Sequence, residues 1–377
     1  MGLVQAEDIK RTFENLVAID SPSLKEKQMA EHIKRMFWQL GIELSEDDSG
    51  KVTKSNAGNL YGFVKGNSRK APVLLSAHMD TVLPAYGKKA VFEADGTVRS
   101  DGTTVLGADD LAGVTAIYHA VKAIKERRSS HRDFELLFTT GEELYCKGAK
   151  AFDYGKLKSR SAYVLDLSGR IGDAAYAAPT ILSFSAKLTG RAAHAGFCPE
   201  NGVNALRAAA EAVTRLPQGR IDEITTANIG RISGGEGVNI VASACEVQGE
   251  IRSLEHKRAL AFLRRYKETF AQAARAFGAG LDWEENIDIE AYETSLDSET
   301  VSEYRKAAEK AGITARFSKT FGGSDNNVFA RHGIEGLVAA PSMNQVHSCE
   351  EYGNIYEMAA VAEMLVHLLE EKSNDKI

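Results

Sequence analysis

The 377-residue sequence is poor in cysteine, has no long apolar run and carries no excess of positive charge. Its four cysteines, Cys146, Cys198, Cys245 and Cys349, are too few for a disulfide framework, and no two stand at the Cys-x-x-Cys spacing of a thiolate zinc site. A reducing, cytoplasmic setting is therefore expected. No apolar stretch approaches the roughly 20 residues that a membrane span needs. The opening MGLVQAEDIKRTF meets charge at Glu7 with no signal-peptide core, and Ala6 stands where a myristoylation motif wants Ser or Thr. No membrane partner is expected. Forty-six Lys and Arg against 52 Asp and Glu leave a net charge of −6, which argues against nucleic acid as a partner. Internal repeats and low-complexity tracts are also missing.

What is present is the composition of a globular chain, 44% apolar and 26% charged, long enough for two domains. Ile9, Phe13, Leu16 and Val17 recur at helical spacing. Ser23 to Glu26 reads as a capping box opening a helix that buries Met29, Ile33, Met36, Phe37 and Leu40 and stops at Gly41. Strands are predicted near 60–64, 73–77, 135–139, 163–165 and 313–317, alternating with helices such as the one carrying Leu111, Val114, Ile117, Val121 and Ile124. Asp95-Gly96 reads as a hairpin turn. This alternation predicts an α/β domain with a mostly parallel central sheet flanked by helices.

From about residue 179 the pattern changes. Leu182, Phe184, Ala186 and Leu188 alternate as in a sheet with one wet face. The order that follows, with strands at 226–232 and 238–251 about a turn at Gly234-Gly235, helices at 203–216 and 260–277 and a last strand at 281–289, is β-α-β-β-α-β, a ferredoxin-like α+β unit. Residues 179–291 are therefore expected to form an inserted domain, with 1–178 and 292–377 forming the first. Gly234-Gly235-Glu236-Gly237 lacks the lysine and the strand-to-helix context of a phosphate loop.

The chemistry gathers where strands end. APVLLSAHMDTV places His78 and Asp80 just after a buried apolar strand, two residues apart and so on one side of extended chain. That suits a metal ligand whose second ring nitrogen is held by a carboxylate. Asp109, Glu143, Asp166 and His347 also follow predicted strands, and ligand sites in open α/β sheets form beyond the carboxyl ends of strands. Singly each has a plainer reading: Asp109 and Asp110 as N-caps, Glu142 and Glu143 as a solvated turn, His347 as a loop histidine. Together, two imidazoles and three carboxylates suit zinc, cobalt or manganese, and one carboxylate can bridge two ions.

SAHMDTV, GADDLAG, FTTGEEL, YVLDLSG and VHSCEE resemble the motifs of the di-zinc exopeptidases related to aminoacylase and carboxypeptidase G, and GRAAHAGFCPENGVNAL resembles a segment of their inserted domain. The likeness runs over essentially the whole chain and is nearest to the peptidase T, or aminotripeptidase, branch. It implies two Zn2+ per subunit, with Co2+ or Mn2+ as alternatives. His78 and Asp166 would hold one ion, Glu143 and His347 the other, and Asp109 would bridge them. Asp80 would orient His78, and Glu142 would be the general base acting on a metal-activated water. His194, in the inserted lid and dimerisation domain, would support the oxyanion, reaching across a homodimer. Asn239 and Arg252 would contact substrate, Arg252 through its carboxylate. A cis peptide is implied at Asp109–Asp110. Leu111 departs from the family, where Lys is frequent, and Asn326-Asn327 depart after Gly322-Gly323-Ser324-Asp325. The expected activity is removal of N-terminal residues from short peptides. A carboxypeptidase or N-acyl amino acid deacylase on the same site, and a non-catalytic peptide-binding protein, are the alternatives.

Overall fold

The computed structural model describes residues 3–371 and divides into two compact units. Unit 1 takes the chain up to Ala177, then Glu293–Thr320, then from Ser324 on; unit 2 takes Ala178–Tyr292 and Phe321–Gly323.

Unit 1 is built on a nine-stranded sheet. Its centre is four parallel strands in the order Phe134–Thr139, Val73–His78, Ser161–Val164 and Glu335–Ala339. Phe134–Thr139 and Val73–His78 are buried at every position, the mark of strands covered on both faces. Antiparallel strands add to the edges: Leu60–Val64 on one side, Asp173–Ala178 on the other. The helix Ala108–Arg127 is buried along almost its whole length, packed on by the helices Ala6–Val17 and Ile355–Leu369. Phe37 is fully buried against the rings of Tyr118 and Phe138. The expected turn at Asp95-Gly96 joins Ala90–Phe92 to Thr97–Ser100, with Gly96 at φ +86°.

Two expectations in unit 1 need revision. The helix Lys27–Gln39 forms, but neither Ser23 nor Glu26 caps it through a side chain. Their side chains turn to distant loops instead: the Ser23 hydroxyl donates to Asp80, and Glu26 accepts from Gly141. The strand expected at 313–317 begins later, at Arg316, where the chain first finds the parallel partner Asp173–Ala178.

Unit 2 is an antiparallel sheet of five strands in the order Gly219–Asp222, Thr225–Gly234, Ala244–Ser253, Thr180–Thr189 and Gly280–Ile289. Two helices, Ala205–Arg215 and His256–Phe277, supply its core through Ala208, Ala209, Ala212, Leu263, Tyr266 and Phe270. Leu182, Phe184, Ala186 and Leu188 face that core, and Lys187 between them is exposed, the period-two pattern of a one-sided sheet. The strand expected at 238–251 starts only at Ala244. The ladder with Thr225–Gly234 ends at Gly234 opposite Cys245, so residues 235–243 leave that ladder, and Val238 is fully exposed.

Candidate metal and catalytic centre

The parallel register aligns the strand ends that carry the chemistry. His78 lies opposite Thr139, and the Leu165 N–H donates to Ser76 O, so His78, the Gly141–Glu143 turn and Asp166 leave one rim of the sheet together. Asp109 and Asp110 begin the helix Ala108–Arg127 with non-helical torsions, and the peptide between them is cis. Glu351 fixes this entrance: its carboxylate accepts the N–H of Gly107 at 2.7 Å and of Asp109 at 2.9 Å.

Five of the candidate residues meet there. His78 Nε2 is 3.0 Å from Asp109 Oδ1 and 3.8 Å from Asp166 Oδ1. His347 Nε2 is 3.2 Å from Asp109 Oδ2 and 3.0 Å from Glu143 Oε2. Within each of two triads, His78–Asp109–Asp166 and Asp109–Glu143–His347, the donor atoms lie within 4.8 Å of one another. Asp109 belongs to both, one oxygen turned to each. His347 reaches its place from a loop residue at φ +61°.

Asp80 meets His78 through both its backbone and its side chain. His78 Nδ1 lies 3.0 Å from the backbone carbonyl of Asp80 and 3.5 Å from its carboxylate. The carboxylate also accepts the N–H of Glu142 at 2.9 Å, the N–H of Glu143 at 3.3 Å and the hydroxyl of Ser23 at 2.7 Å. Either contact keeps a proton on Nδ1 and leaves Nε2 to face Asp109 and Asp166.

The electrostatics are those of carboxylates crowded in a dry place. Burial works to lower the His78 pKa, but hydrogen bonds to Asp109, Asp166 and Asp80 carry it well above the ordinary value. Burial works to raise the Asp109 pKa, yet the two imidazoles hold it below the usual carboxylate range. Glu142 is raised well above it, by burial first and then by the charge of Asp166. This donor set fits a pair of divalent cations. It offers imidazole nitrogen and carboxylate oxygen without thiolate, one carboxylate already addresses both groups, and three acidic side chains would balance most of the charge.

Glu142 is buried beside these triads and belongs to neither. It forms a third group with Cys146 and Asp325, in which the Cys146 thiol donates to Glu142 Oε1 at 3.3 Å and Thr139 donates to Asp325 Oδ2 at 2.5 Å. Burial pushes the Asp325 carboxyl up to about 6. Sequence reasoning missed Cys146, Asp325 and Glu351 as neighbours of the site. The available signal was a carboxylate at a short helix start in Gly322-Gly323-Ser324-Asp325 and a second acid in VHSCEE.

The remaining candidates belong to unit 2. His194 bridges Ile240, and the Ala195 N–H donates to Asn239 O, so His194 and Asn239 share one exposed loop pair. His194 Nδ1 accepts the N–H groups of Gly196 and Phe197 at 3.1 and 3.2 Å, and its ring stacks on Phe197. With Nδ1 accepting, the ring proton sits on Nε2. Arg252 is held elsewhere: its guanidinium grips Glu250 bidentately at 2.8 and 3.0 Å and donates to Phe321 O at 2.9 Å, engaging three of its five N–H donors.

Residues 59–196 match the model of peptidase family M28, and residues 176–277 match a peptidase dimerisation domain. The chain is 38% identical to the uncharacterised protein YqjE of Bacillus subtilis, covering 98% of this chain and 99% of that one. A crystal structure of aminopeptidase PepT from Bacillus cereus is 36% identical, with 98% and 99% of the two chains covered and a TM-score of 0.90. A Staphylococcus aureus tripeptidase structure is 31% identical over 98% of both chains, with a TM-score of 0.94. A Bacillus subtilis protein of the same fold, 14% identical with a TM-score of 0.73, is a dinuclear metal binding peptidase of the M20 family. The chain belongs to the peptidase T-like metallo-exopeptidases of the M20 family.

Proposed function

We propose that the protein is an aminotripeptidase that removes N-terminal residues from short peptides. The observation that carries this reading is the sharing of Asp109 between two donor triads, with the carboxylate of Glu142, a member of neither, beside them. His78 and Asp166 would hold one cation, Glu143 and His347 the other, with Asp109 between them; zinc suits the donors, as do cobalt and manganese. Bound there, the ions would acidify a water and polarise the scissile carbonyl. Glu142 takes a proton from the attacking water and delivers it to the leaving amine. Its buried, high-pKa carboxyl suits both halves of that transfer.

His194 supplies a neutral Nε2–H donor for the developing oxyanion, and its tautomer supports this role. We assign the donor to the partner subunit's site in a homodimer, an assignment supported by the match of residues 176–277 to a dimerisation domain. Asn239, beside His194, and Arg252 would contact the peptide, Arg252 through the donors that Glu250 and Phe321 do not engage. Among the described residues no helix is long and apolar enough to cross a membrane. Four free cysteines support a reducing, cytoplasmic setting.

The test is a panel of free tripeptides, N-blocked dipeptides and N-acyl amino acids, assayed with zinc, cobalt or manganese supplied. Release of the N-terminal residue from free tripeptides supports the reading. Preference for blocked dipeptides or acyl amino acids would replace it with a carboxypeptidase or deacylase.

A further inference from the structure

The Ser23–Glu26 stretch has the sequence of a helix start, yet the helix that follows takes no side-chain cap from it. Glu26 reaches the turn that carries the base, and Ser23 bonds to Asp80, which holds the same turn. Four consecutive backbone N–H groups of that turn donate to side chains. Thr140 N–H goes to Asn59 Oδ1 at 3.1 Å, and Gly141 N–H to Glu26 Oε1 at 3.0 Å. Glu142 and Glu143 N–H both go to the Asp80 carboxylate. Glu26 is fully buried and its oxygens are satisfied: Oε1 also accepts Leu24 N–H at 2.8 Å, and Oε2 accepts the Ser55 hydroxyl at 2.6 Å. Gly141 itself stands at φ +59°, a backbone state that L side chains rarely adopt and that neighbouring contacts must hold.

We propose that Glu26 is a positioning residue for Glu142, holding the backbone of the Gly141–Glu143 turn so that one glutamate faces the metal pair and the other stays free to move a proton. This rests on the reading of Glu142 as the base. A carboxylate suits the task because one oxygen serves two N–H groups while the other is anchored by Ser55. Aspartate at this position keeps the charge but is one methylene short of Gly141. Glutamine keeps the length and the accepting oxygen, and its amide can donate to Ser55 in place of receiving from it.

The test compares full-length wild type, Glu26→Asp and Glu26→Gln, each loaded with zinc, by tripeptide hydrolysis and by metal content. Glu26→Asp should lose roughly 10- to 100-fold in kcat, the usual effect of removing a group that orients another. Its KM should stay within about threefold and its metal content should match wild type. Glu26→Gln should recover most of kcat with the same metal content. Wild-type kcat in Glu26→Asp overturns the proposal. So does a loss that follows metal release or appears in KM alone, and so does a Glu26→Gln variant as impaired as Glu26→Asp. Wild-type protein that hydrolyses no peptide overturns the aminotripeptidase reading itself, and this proposal with it.

Discussion

Replacing Glu142 by Gln changes a single acidic oxygen while keeping the shape of the side chain. The backbone bonds that hold residue 142, its N–H to Asp80 and its carbonyl from the Cys146 N–H, do not involve the carboxyl. Glu142 belongs to neither donor triad, so the metal set is untouched. The carboxyl is buried and its pKa is driven up by that burial and by the charge of Asp166. The amide keeps the shape of the side chain and the N–H bond to Asp80, so the variant should fold as wild type does. What it loses is proton transfer. General acid–base catalysis contributes about 10²- to 10⁴-fold, or about 3–5 kcal/mol of barrier. Glu142→Gln should therefore show kcat on a free tripeptide reduced by that factor, with metal content and urea midpoint no lower than wild type. A kcat within about threefold of wild type would refute the assignment of the base. A fall in activity that merely tracked lost metal would refute the separation of base from ligands.

Other perturbations test the fold and the remaining assignments. Phe37→Ala empties a fully buried space between Tyr118 and Phe138 and should cost about 3–5 kcal/mol, read as a lower urea midpoint. His119 is buried beside Thr12, and burial, helped by Lys122, depresses its pKa from 6.5 to about 4. The unfolded chain then binds a proton that the folded chain refuses. Stability from this group is present above pH 6.5 and lost as pH falls toward 4, by at most about 3 kcal/mol. His119→Gln should flatten that acid limb in urea titrations at successive pH values; an unchanged limb would place the acid sensitivity elsewhere. Mixing His194→Ala with Glu142→Ala protein should restore activity through heterodimers if His194 acts on the partner's site. No recovery after verified subunit exchange would remove that role.

Much of the scaffold was legible because its signals are local. The apolar runs at 73–77 and 135–139, the alternation at Leu182–Leu188 and the helix spacing after Leu111 each reflect one or two faces of burial within a short window. Three of the candidate ligands were visible for a related reason: His78 ends such a strand, and Glu143 and Asp166 lie a few residues beyond one, whereas Asp109 opens a helix and His347 sits in a loop. What the sequence hid depends on contacts between distant segments. Glu351 meets Gly107 across 244 residues of chain, and Asp325 meets Thr139 across 186. Ser23 and Glu26 were misleading, because a local helix signature there is overridden by bonds to Asp80 and Gly141. Arg252 stands on the same strand as Glu250, and only the folded geometry reveals their bidentate pairing.

Counting bound metal in a set of single variants tests most directly whether one carboxylate serves two ions. The full-length protein and the variants Asp166→Asn, Glu143→Gln and Asp109→Asn would be loaded with zinc, passed through a desalting column and assayed by elemental analysis. Wild type should retain about two ions, Asp166→Asn and Glu143→Gln about one each, and Asp109→Asn close to none, since it alone belongs to both triads. Retention of one full ion by Asp109→Asn, or of a single ion by wild type, would contradict the shared centre.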